Sequence, residues 1–155
     1  MNDTCRDIML TNPVVLRPEQ TLLEALHTIH SHGVRYLPVV DDEGNFVGIF
    51  TSLELIRLLL PQTFSIKMGK MPVDLNFMRT SVSELRERLG ELGHEKISQH
   101  VIKEDIPTCT PDSSIMEAIY LLHTYHAHVV VTEAGSRKFA GIVTINGLFD
   151  HIFDK

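Results

Sequence analysis

An internal repeat covers most of this chain and limits the folds that it can adopt. Shifting the sequence by 93 residues aligns residues 14–60 with residues 107–153 without a gap, and nine of the 47 aligned positions are identical. Within the repeat, the first octet GIFTSLEL (48–55) corresponds to the second octet GIVTINGL (141–148). Self-similarity at one fixed offset is typical of a fold built from equivalent units. We therefore expect two copies of one structural unit.

Each copy predicts the same order of elements, β-α-β-β-α. A short apolar segment reads as the first strand, and two further strands flank a turn that contains glycine. The first helix of each copy begins at a predicted capping box, formed by Thr21 with Glu24 and by Ser114 with Glu117. The final helix begins at Thr51 or Thr144. The fold class is therefore α/β (α+β-like).

The two copies are expected to pack together about a pseudo-twofold axis, because a lone copy of about sixty residues buries too little surface to be stable. Residues 61–99 form an insertion, so the predicted divisions are 1–60, 61–99 and 100–155. Pro61 is expected to end the preceding helix, and residues 61–72 to form an irregular connection. Ser81 then begins a predicted helix that places three leucines on one face: Leu85, Leu89 and Leu92.

Composition and motifs exclude several classes of function. The net charge of −6 opposes binding to nucleic acid or to anionic lipid. No stretch approaches the roughly 18 apolar residues of a membrane helix, so the chain is expected to be soluble and cytoplasmic. Cys5 and Cys109 are too few for a disulfide framework, and Cys109 is expected to be a small buried side chain. No nucleophile-elbow, zinc-protease or P-loop motif occurs, so we expect no enzyme.

The octets carry the clearest chemical signal. Gly48 allows close backbone approach after a strand, and Thr51 lies where a helix begins, which favours an anion such as phosphate. Glu54 could then accept hydrogen bonds from a ribose diol. Alternatively, Thr51 and Glu54 form a capping box and bind nothing. In the second octet Gly147 replaces the carboxylate, so neither role is available there.

Nine histidines are many for this length, and six of them form two groups with the same spacing. Histidines three residues apart on a helix could share a metal ion, but acidic or cysteine partners at matching spacing are missing from the sequence. We therefore expect surface or cleft histidines and no metal site, with metal sensing as a minor alternative. The groups are His27, His30 and His32, and His123, His126 and His128.

The repeated pattern resembles a tandem pair of cystathionine β-synthase (CBS) domains, a Bateman module. The resemblance covers about residues 4–60 and 100–153, and the insertion lies outside the usual pattern. The segments that carry it are RDIMLTNPVVLRPEQTLLEAL, HGVRYLPVVDDEGNFVGIFTSLEL, IPTCTPDSSIMEAI and FAGIVTINGL.

This resemblance implies regulatory binding of AMP, ADP, ATP or S-adenosylmethionine, with no required cofactor. The family's ribose and phosphate motif maps onto Gly48, Thr51 and Glu54, and onto Gly141, Thr144 and Gly147. Arg35 and His128 match a position that often meets phosphate, and Thr108 matches a cleft-lining threonine. Glu54 departs from the family's usual aspartate by one methylene, and Gly147 removes the carboxylate. The implied ligand-binding residues are Arg35, Gly48, Thr51, Glu54, Thr108, His128 and Thr144.

The function predicted from sequence is therefore a regulatory module that senses an adenosine compound. The resemblance also implies a homodimer formed through helices. Leu58, Leu59 and Leu60 are candidates for this interface, with packing in the core as the equal alternative. The alternative is a protein-interaction scaffold with degenerate, empty clefts, in which residues 61–99 contact an unidentified protein partner.

Overall fold

A computed structural model describes residues 3–60 and 75–154, so Pro61 and the predicted connection at 61–72 lie outside the described residues. A short helix, α1 (Cys5–Ile8), precedes the first repeat. That repeat contains α2 (Leu22–His32), β1 (Tyr36–Val40), β2 (Phe46–Thr51) and α3 (Ser52–Leu59). Helix α4 (Val82–Leu92) and a 3-10 turn (Ile97–Gln99) follow. The second repeat contains β3 (Thr108–Cys109), α5 (Ile115–Tyr125), β4 (Val129–Thr132), β5 (Phe139–Val143) and α6 (Ile145–Phe153).

The element order of the two copies matches the prediction, with β1 and β4, β2 and β5, and α2 and α5 each beginning 93 residues apart. The first strand is the weakest element. In the second repeat it is β3, which pairs in parallel with β4. In the first repeat it is a single parallel bridge between Leu16 and Val39. Leu16 donates to the Pro38 carbonyl at 2.9 Å and accepts from the Val40 N–H at 2.9 Å.

The helices begin where their predicted caps lie. Thr21 and Glu24 form the complete capping box, with Glu24 N–H to Thr21 Oγ1 at 3.2 Å and Thr21 N–H to Glu24 Oε1 at 2.9 Å. Ser114 accepts from the Glu117 N–H at 3.1 Å, and Ser81 caps α4 through the Glu84 N–H at 3.1 Å. Among the described helices, none combines the length and apolar character needed to cross a membrane.

The contacts divide the chain into two compact units. The sheet unit comprises Met1–Pro18, Tyr36–Phe50 and Val101–Lys155, and the helical unit comprises Glu19–Arg35 and Thr51–His100. A buried cluster in the sheet unit surrounds Cys5, Cys109, Val131 and Val143. In the helical unit, α2, α3 and α4 pack on one another. The predicted division at 1–60, 61–99 and 100–155 stays a prediction.

The segment that precedes each repeat pairs with the other repeat. Before the first repeat, Thr4 bridges to Ser114 and Leu10 bridges to Ile142. The Leu10 bridge has two hydrogen bonds, Leu10 N–H to Ile142 O at 2.8 Å and Ile142 N–H to Leu10 O at 3.0 Å. Residues 4–10, which we call the first exchanged segment, therefore belong structurally to the second repeat.

The same pairing recurs before the second repeat, 92 residues later in the chain. Lys96 bridges to Thr21 in the helical unit, and Ile102 bridges to Ile49 in the sheet unit. Ile49 and Ile102 exchange hydrogen bonds of 2.9 and 2.8 Å. Residues 96–102 are thus a second exchanged segment, which completes the first repeat.

The glycine that begins each octet makes room for an exchanged segment. A Cβ atom at Gly48 would lie 2.3 Å from Val101 Cγ1 and 2.5 Å from the Ile102 carbonyl oxygen. At Gly141 it would lie 2.4 Å from the Leu10 carbonyl oxygen. The close approach that the sequence predicts at Gly48 is therefore made by the chain's own backbone.

We expect Gly48→Ala and Gly141→Ala each to lower the free energy of unfolding by about 1–3 kcal/mol, because backbone atoms must move to admit the methyl group. Urea unfolding of the purified variants measures this. Gly90→Ala is the control: it lies within α4 with no atom within 4 Å of the added Cβ. Alanine there should stabilise by roughly 0.5–1 kcal/mol. Equal stability of all three variants would contradict the close approach.

Candidate functional site

The carboxylate of the first octet already has partners within the helical unit. Glu54 accepts from Arg57 through two atoms, Nη2 to Oε2 at 2.5 Å and Nε to Oε1 at 3.2 Å. Its side chain is 13% exposed. The hydrogen bond with Glu54 raises the pKa of Arg57, an effect that burial opposes. Thr51 is the N-cap of α3 but its side chain makes no capping hydrogen bond, so the capping-box alternative for Glu54 is wrong.

A histidine from the second exchanged segment completes this cluster. His100 Nδ1 lies 3.5 Å from Glu54 Oε2, and His100 Nε2 lies 2.8 Å from Glu95 Oε1. His100 was missed by reasoning from sequence, because it lies far along the chain from Glu54 and carries no motif. Arg57 was missed although its spacing three residues after Glu54 was a usable signal for a helical ion pair.

The second octet faces the first exchanged segment instead. Thr144 Oγ1 accepts from the Gly147 N–H at 2.8 Å and so caps α6. A Cβ at Gly147 would lie 3.0 Å from Thr144 Oγ1 and 3.4 Å from the Ile8 carbonyl oxygen. Ile8 and His100 are equivalent, since they lie 92 residues apart in the two exchanged segments. A carboxylate is thus present where the segment offers a histidine, and absent where it offers a carbonyl oxygen, which cannot donate a hydrogen bond.

Two buried polar side-chain atoms in the sheet unit have no hydrogen-bond partner within residues 3–60 and 75–154. The rings of Tyr36 and His128 contact at a centroid distance of 5.1 Å. Tyr36 Oη and His128 Nδ1 are both buried, and neither has a hydrogen-bond partner among the described residues. Burial raises the pKa of Tyr36 to about 12 and lowers the pKa of His128, so both side chains are neutral near pH 7. Leaving a buried polar group unsatisfied costs about 1–3 kcal/mol. We call Tyr36 and His128 the orphan pair.

A cavity of about 260 Å³ lies in the same unit. Phe46 and Ile106 form part of its wall. Phe46 belongs to a buried cluster against which both Tyr36 and Ile106 pack. Thr108 lines this cavity, and its role in a ligand cleft, which the family resemblance implies, stays a prediction. The charged residues of its lining are Lys103, Asp105 and Arg137. Arg137 is held in place by two hydrogen bonds to the Phe46 carbonyl oxygen, at 3.1 and 2.7 Å.

The seven predicted site residues fall in both units. Arg35, Thr51 and Glu54 lie in the helical unit, where the exposed Arg35 accepts at its carbonyl oxygen from the Ser52 N–H at 2.9 Å. In the sheet unit, Thr108 lines the cavity and His128 belongs to the orphan pair. The other two predicted residues there, Gly48 and Thr144, contact the exchanged segment and cap α6, respectively.

The histidine groups of the sequence do not assemble a metal centre in the described part of the chain. The His123 and His126 rings lie 6.3 Å apart. Within residues 3–60 and 75–154, no group of three or more histidine, cysteine, aspartate or glutamate side chains is arranged to hold a metal ion.

We expect Glu54→Gln to lower the free energy of unfolding by roughly 1–2 kcal/mol, because it removes the charge that Arg57 and His100 face in a half-buried place. Chemical denaturation in the absence of any ligand measures this. The control is Glu87→Gln on the exposed side of α4, which should change stability by less than about 0.5 kcal/mol. A Glu54 variant as stable as the control would show that the cluster contributes nothing.

The chain is similar to known proteins in both sequence and structure. A family model described as CBS domain matches residues 5–61 and 97–154. An uncharacterised protein of Methanocaldococcus jannaschii is 40% identical over 55 residues, which are 36% of this chain and 33% of that protein. Inosine-5'-monophosphate dehydrogenase of Aquifex aeolicus is 22% identical over 140 residues, which are 90% of this chain and 22% of the enzyme. The chain thus spans about a third or less of these relatives.

Solved structures match nearly the whole chain. The CBS-pair protein CBSX2 from Arabidopsis thaliana superposes with a TM-score of 0.73 at 18% identity, covering 99% of this chain and 96% of that one. CBSX2 in complex with AMP gives a TM-score of 0.70 at 18% identity, covering 99% and 98%. At this identity the match shows the fold alone. Together these matches confirm the mixed α/β fold of two such domains that the sequence predicts.

Proposed function

Because the chain belongs to the CBS-domain family, we propose that it is a regulatory module that binds a small molecule containing adenosine. The observation that carries this proposal is the orphan pair. Native proteins satisfy the great majority of their buried polar groups. Two unsatisfied atoms on side chains whose rings are in contact therefore favour a place that a polar ligand completes. That CBSX2 was crystallised in complex with AMP supports the same ligand class. AMP, ADP, ATP and S-adenosylmethionine are the candidates.

The chemistry of the sheet unit suits this ligand class. The Tyr36 hydroxyl can donate a hydrogen bond and a neutral His128 Nδ1 can accept one. Adenine offers the complementary acceptor and donor along one edge. Phe46 and Ile106 supply an apolar wall for a ring, and Lys103 supplies positive charge for phosphate. The role is one of binding, and we propose no catalytic step.

The predicted ribose contact of Glu54 stays a prediction, and the helical unit sets a condition on it. Glu54 can bind a diol only if it exchanges hydrogen bonds with His100 or Arg57. Release of His100 would free the segment that also holds Glu95. We propose that loss of the contact between Glu54 and His100 signals ligand binding at Glu54.

A second candidate is the protein-interaction scaffold with empty clefts. The contacts of the two octets favour it. The Glu54 carboxylate is already paired with Arg57 of the same chain, and Gly147 lies against the Ile8 carbonyl, so neither position needs a ligand. In this alternative, the working surface would be the insertion 61–99, of which only residues 75–99 are described.

Thermal melting against each candidate ligand tests the proposal. A ligand at 100 times its Kd adds about 2.7 kcal/mol of stability and raises the midpoint by several degrees. Tyr36→Phe is the informative variant. Removing the unsatisfied hydroxyl should raise the midpoint of the ligand-free protein, and the loss of a ligand contact should reduce the ligand-induced shift.

Tyr120→Phe is the control, because its hydroxyl belongs to a side chain that is 66% exposed. It should leave both the midpoint and the ligand shift unchanged. The sensor proposal is wrong if no adenosine compound raises the melting midpoint of the parent protein and Tyr36→Phe lowers that midpoint. The protein-interaction scaffold is then the favoured function.

We also propose that the chain forms a homodimer through α6. Four large apolar side chains of this helix are solvent-exposed at positions that share one face. They are Ile145 at 51%, Phe149 at 48%, Ile152 at 53% and Phe153 at 82% exposure. An apolar stripe of this kind on a helix favours burial against a second protein surface.

Phe149→Lys should therefore convert the dimer to a monomer, because it places a charge within the apolar face. Sedimentation velocity of the purified protein measures this. Asp150→Lys introduces the same side chain at the neighbouring exposed position and should leave the dimer intact. A monomeric parent protein would rule out the homodimer.

A further inference from the structure

We propose that Cys5 and Cys109 form a reversible intramolecular disulfide, an oxidative modification site that ties α1 to the second repeat. Their Sγ atoms lie 3.7 Å apart in the buried cluster of the sheet unit. Both are free thiols in this structure. They lie 104 residues apart in the sequence, so only the fold brings them together.

The backbone on both sides of this pair is fixed. Cys5 N–H donates to the Ser113 carbonyl at 2.9 Å, and Arg6 N–H donates to the Pro111 carbonyl at 2.8 Å. Cys109 is held in β3 by its pairing with Val131. Closing the contact to the ~2.05 Å of a disulfide therefore calls for side-chain rotation and a small backbone adjustment.

The two thiols differ in character. Cys109 Sγ donates a hydrogen bond to Cys5 Sγ, and Cys5 Sγ in turn lies 3.6 Å from the Ser114 carbonyl oxygen. The hydrogen bond from Cys109 lowers the pKa of Cys5, against the opposing effects of burial and of Glu117. The same contact and burial raise the pKa of Cys109. Cys5 is therefore the nucleophile of the pair, because the thiolate is the reactive form.

Cys5 is 0% and Cys109 6% exposed, so the oxidant of this pair must be small, and we name hydrogen peroxide. The Cys5 thiolate attacks one peroxide oxygen and forms a sulfenic acid, releasing hydroxide, which a proton converts to water. Cys109 then attacks Cys5 Sγ, the S–O bond breaks, and a second water leaves. In sum, two thiols and one peroxide give one disulfide and two waters.

The disulfide would act on the second octet. The carbonyl of Ile8, at the end of α1, lies against Gly147 at the start of α6. Joining Cys5 to Cys109 would keep α1 on this octet, whereas the reduced protein holds it by non-covalent contacts alone. Oxidation would therefore determine how readily α1 leaves the second repeat.

The test is mild peroxide treatment of the reduced, folded protein, followed by quenching, unfolding and thiol counting. We expect the chain's two thiols to be lost together, with a peptide pair joining Cys5 to Cys109 in mass spectrometry and no covalent dimer. The midpoint of melting should rise by roughly 5–10 °C, because the bond closes a loop of about a hundred residues. Reductant should reverse both changes.

Cys5→Ser is the matched control, because it keeps a small polar side chain at this position. Peroxide can also oxidise the methionines of the chain, and it can do so equally in the parent and in this variant. The variant should show no peroxide-induced rise in midpoint. A count of two free thiols in the parent protein after peroxide treatment would overturn the proposal. So would a covalent dimer, or irreversible oxidation of Cys5 with Cys109 still reduced. Because parent protein is compared with itself before and after oxidation, the result does not depend on the stability of the variant.

Discussion

Two antiparallel bridges, Leu10 to Ile142 and Ile102 to Ile49, are the constraint on which the repeats depend. Each adds an exchanged segment to a strand of the other repeat, and each is possible only because a glycine begins the octet at that place. At both glycines a Cβ would lie within 2.5 Å of a neighbouring carbonyl oxygen. Overlap of that kind cannot be relieved by side-chain rotation. The repetition of glycine in the octets is therefore explained by chain packing, whatever the octets bind.

The exchanged segments also account for the divergence of the octets. In the helical unit, His100 meets Glu54 and supplies nitrogen atoms beside its carboxylate. In the sheet unit, the equivalent residue Ile8 presents its carbonyl oxygen at Gly147. A carboxylate there would face another acceptor in a partly buried place, which is unfavourable because neither group can donate. The first octet thus has a carboxylate where the neighbouring segment supplies a histidine, and the second octet lacks one where the segment presents a carbonyl oxygen.

Outside the octets, two buried polar atoms lack a hydrogen-bond partner among the described residues, and they belong to Tyr36 and His128. Neither residue is in an octet: Tyr36 is the first residue of β1, and His128 immediately precedes β4. Burial raises the pKa of Tyr36 to about 12 and lowers the pKa of His128, so both side chains are neutral near pH 7. The proposed adenosine ligand therefore depends on this pair of side chains and not on the carboxylate of the octet.

The sequence by itself determined the repeat, the order of elements and the helix starts, because these depend on local patterns. Thr21 and Glu24 lie three residues apart, and Ser81 precedes an amphipathic stretch, so backbone geometry alone brings the capping groups together. Only the tertiary structure decided the contact of Glu54 with His100, the packing of Gly48 against residues 101 and 102, and the contact of Cys5 with Cys109. Each of these joins residues separated by 46 to 104 positions. Such contacts depend on how the exchanged segments pair, and no local propensity encodes that pairing.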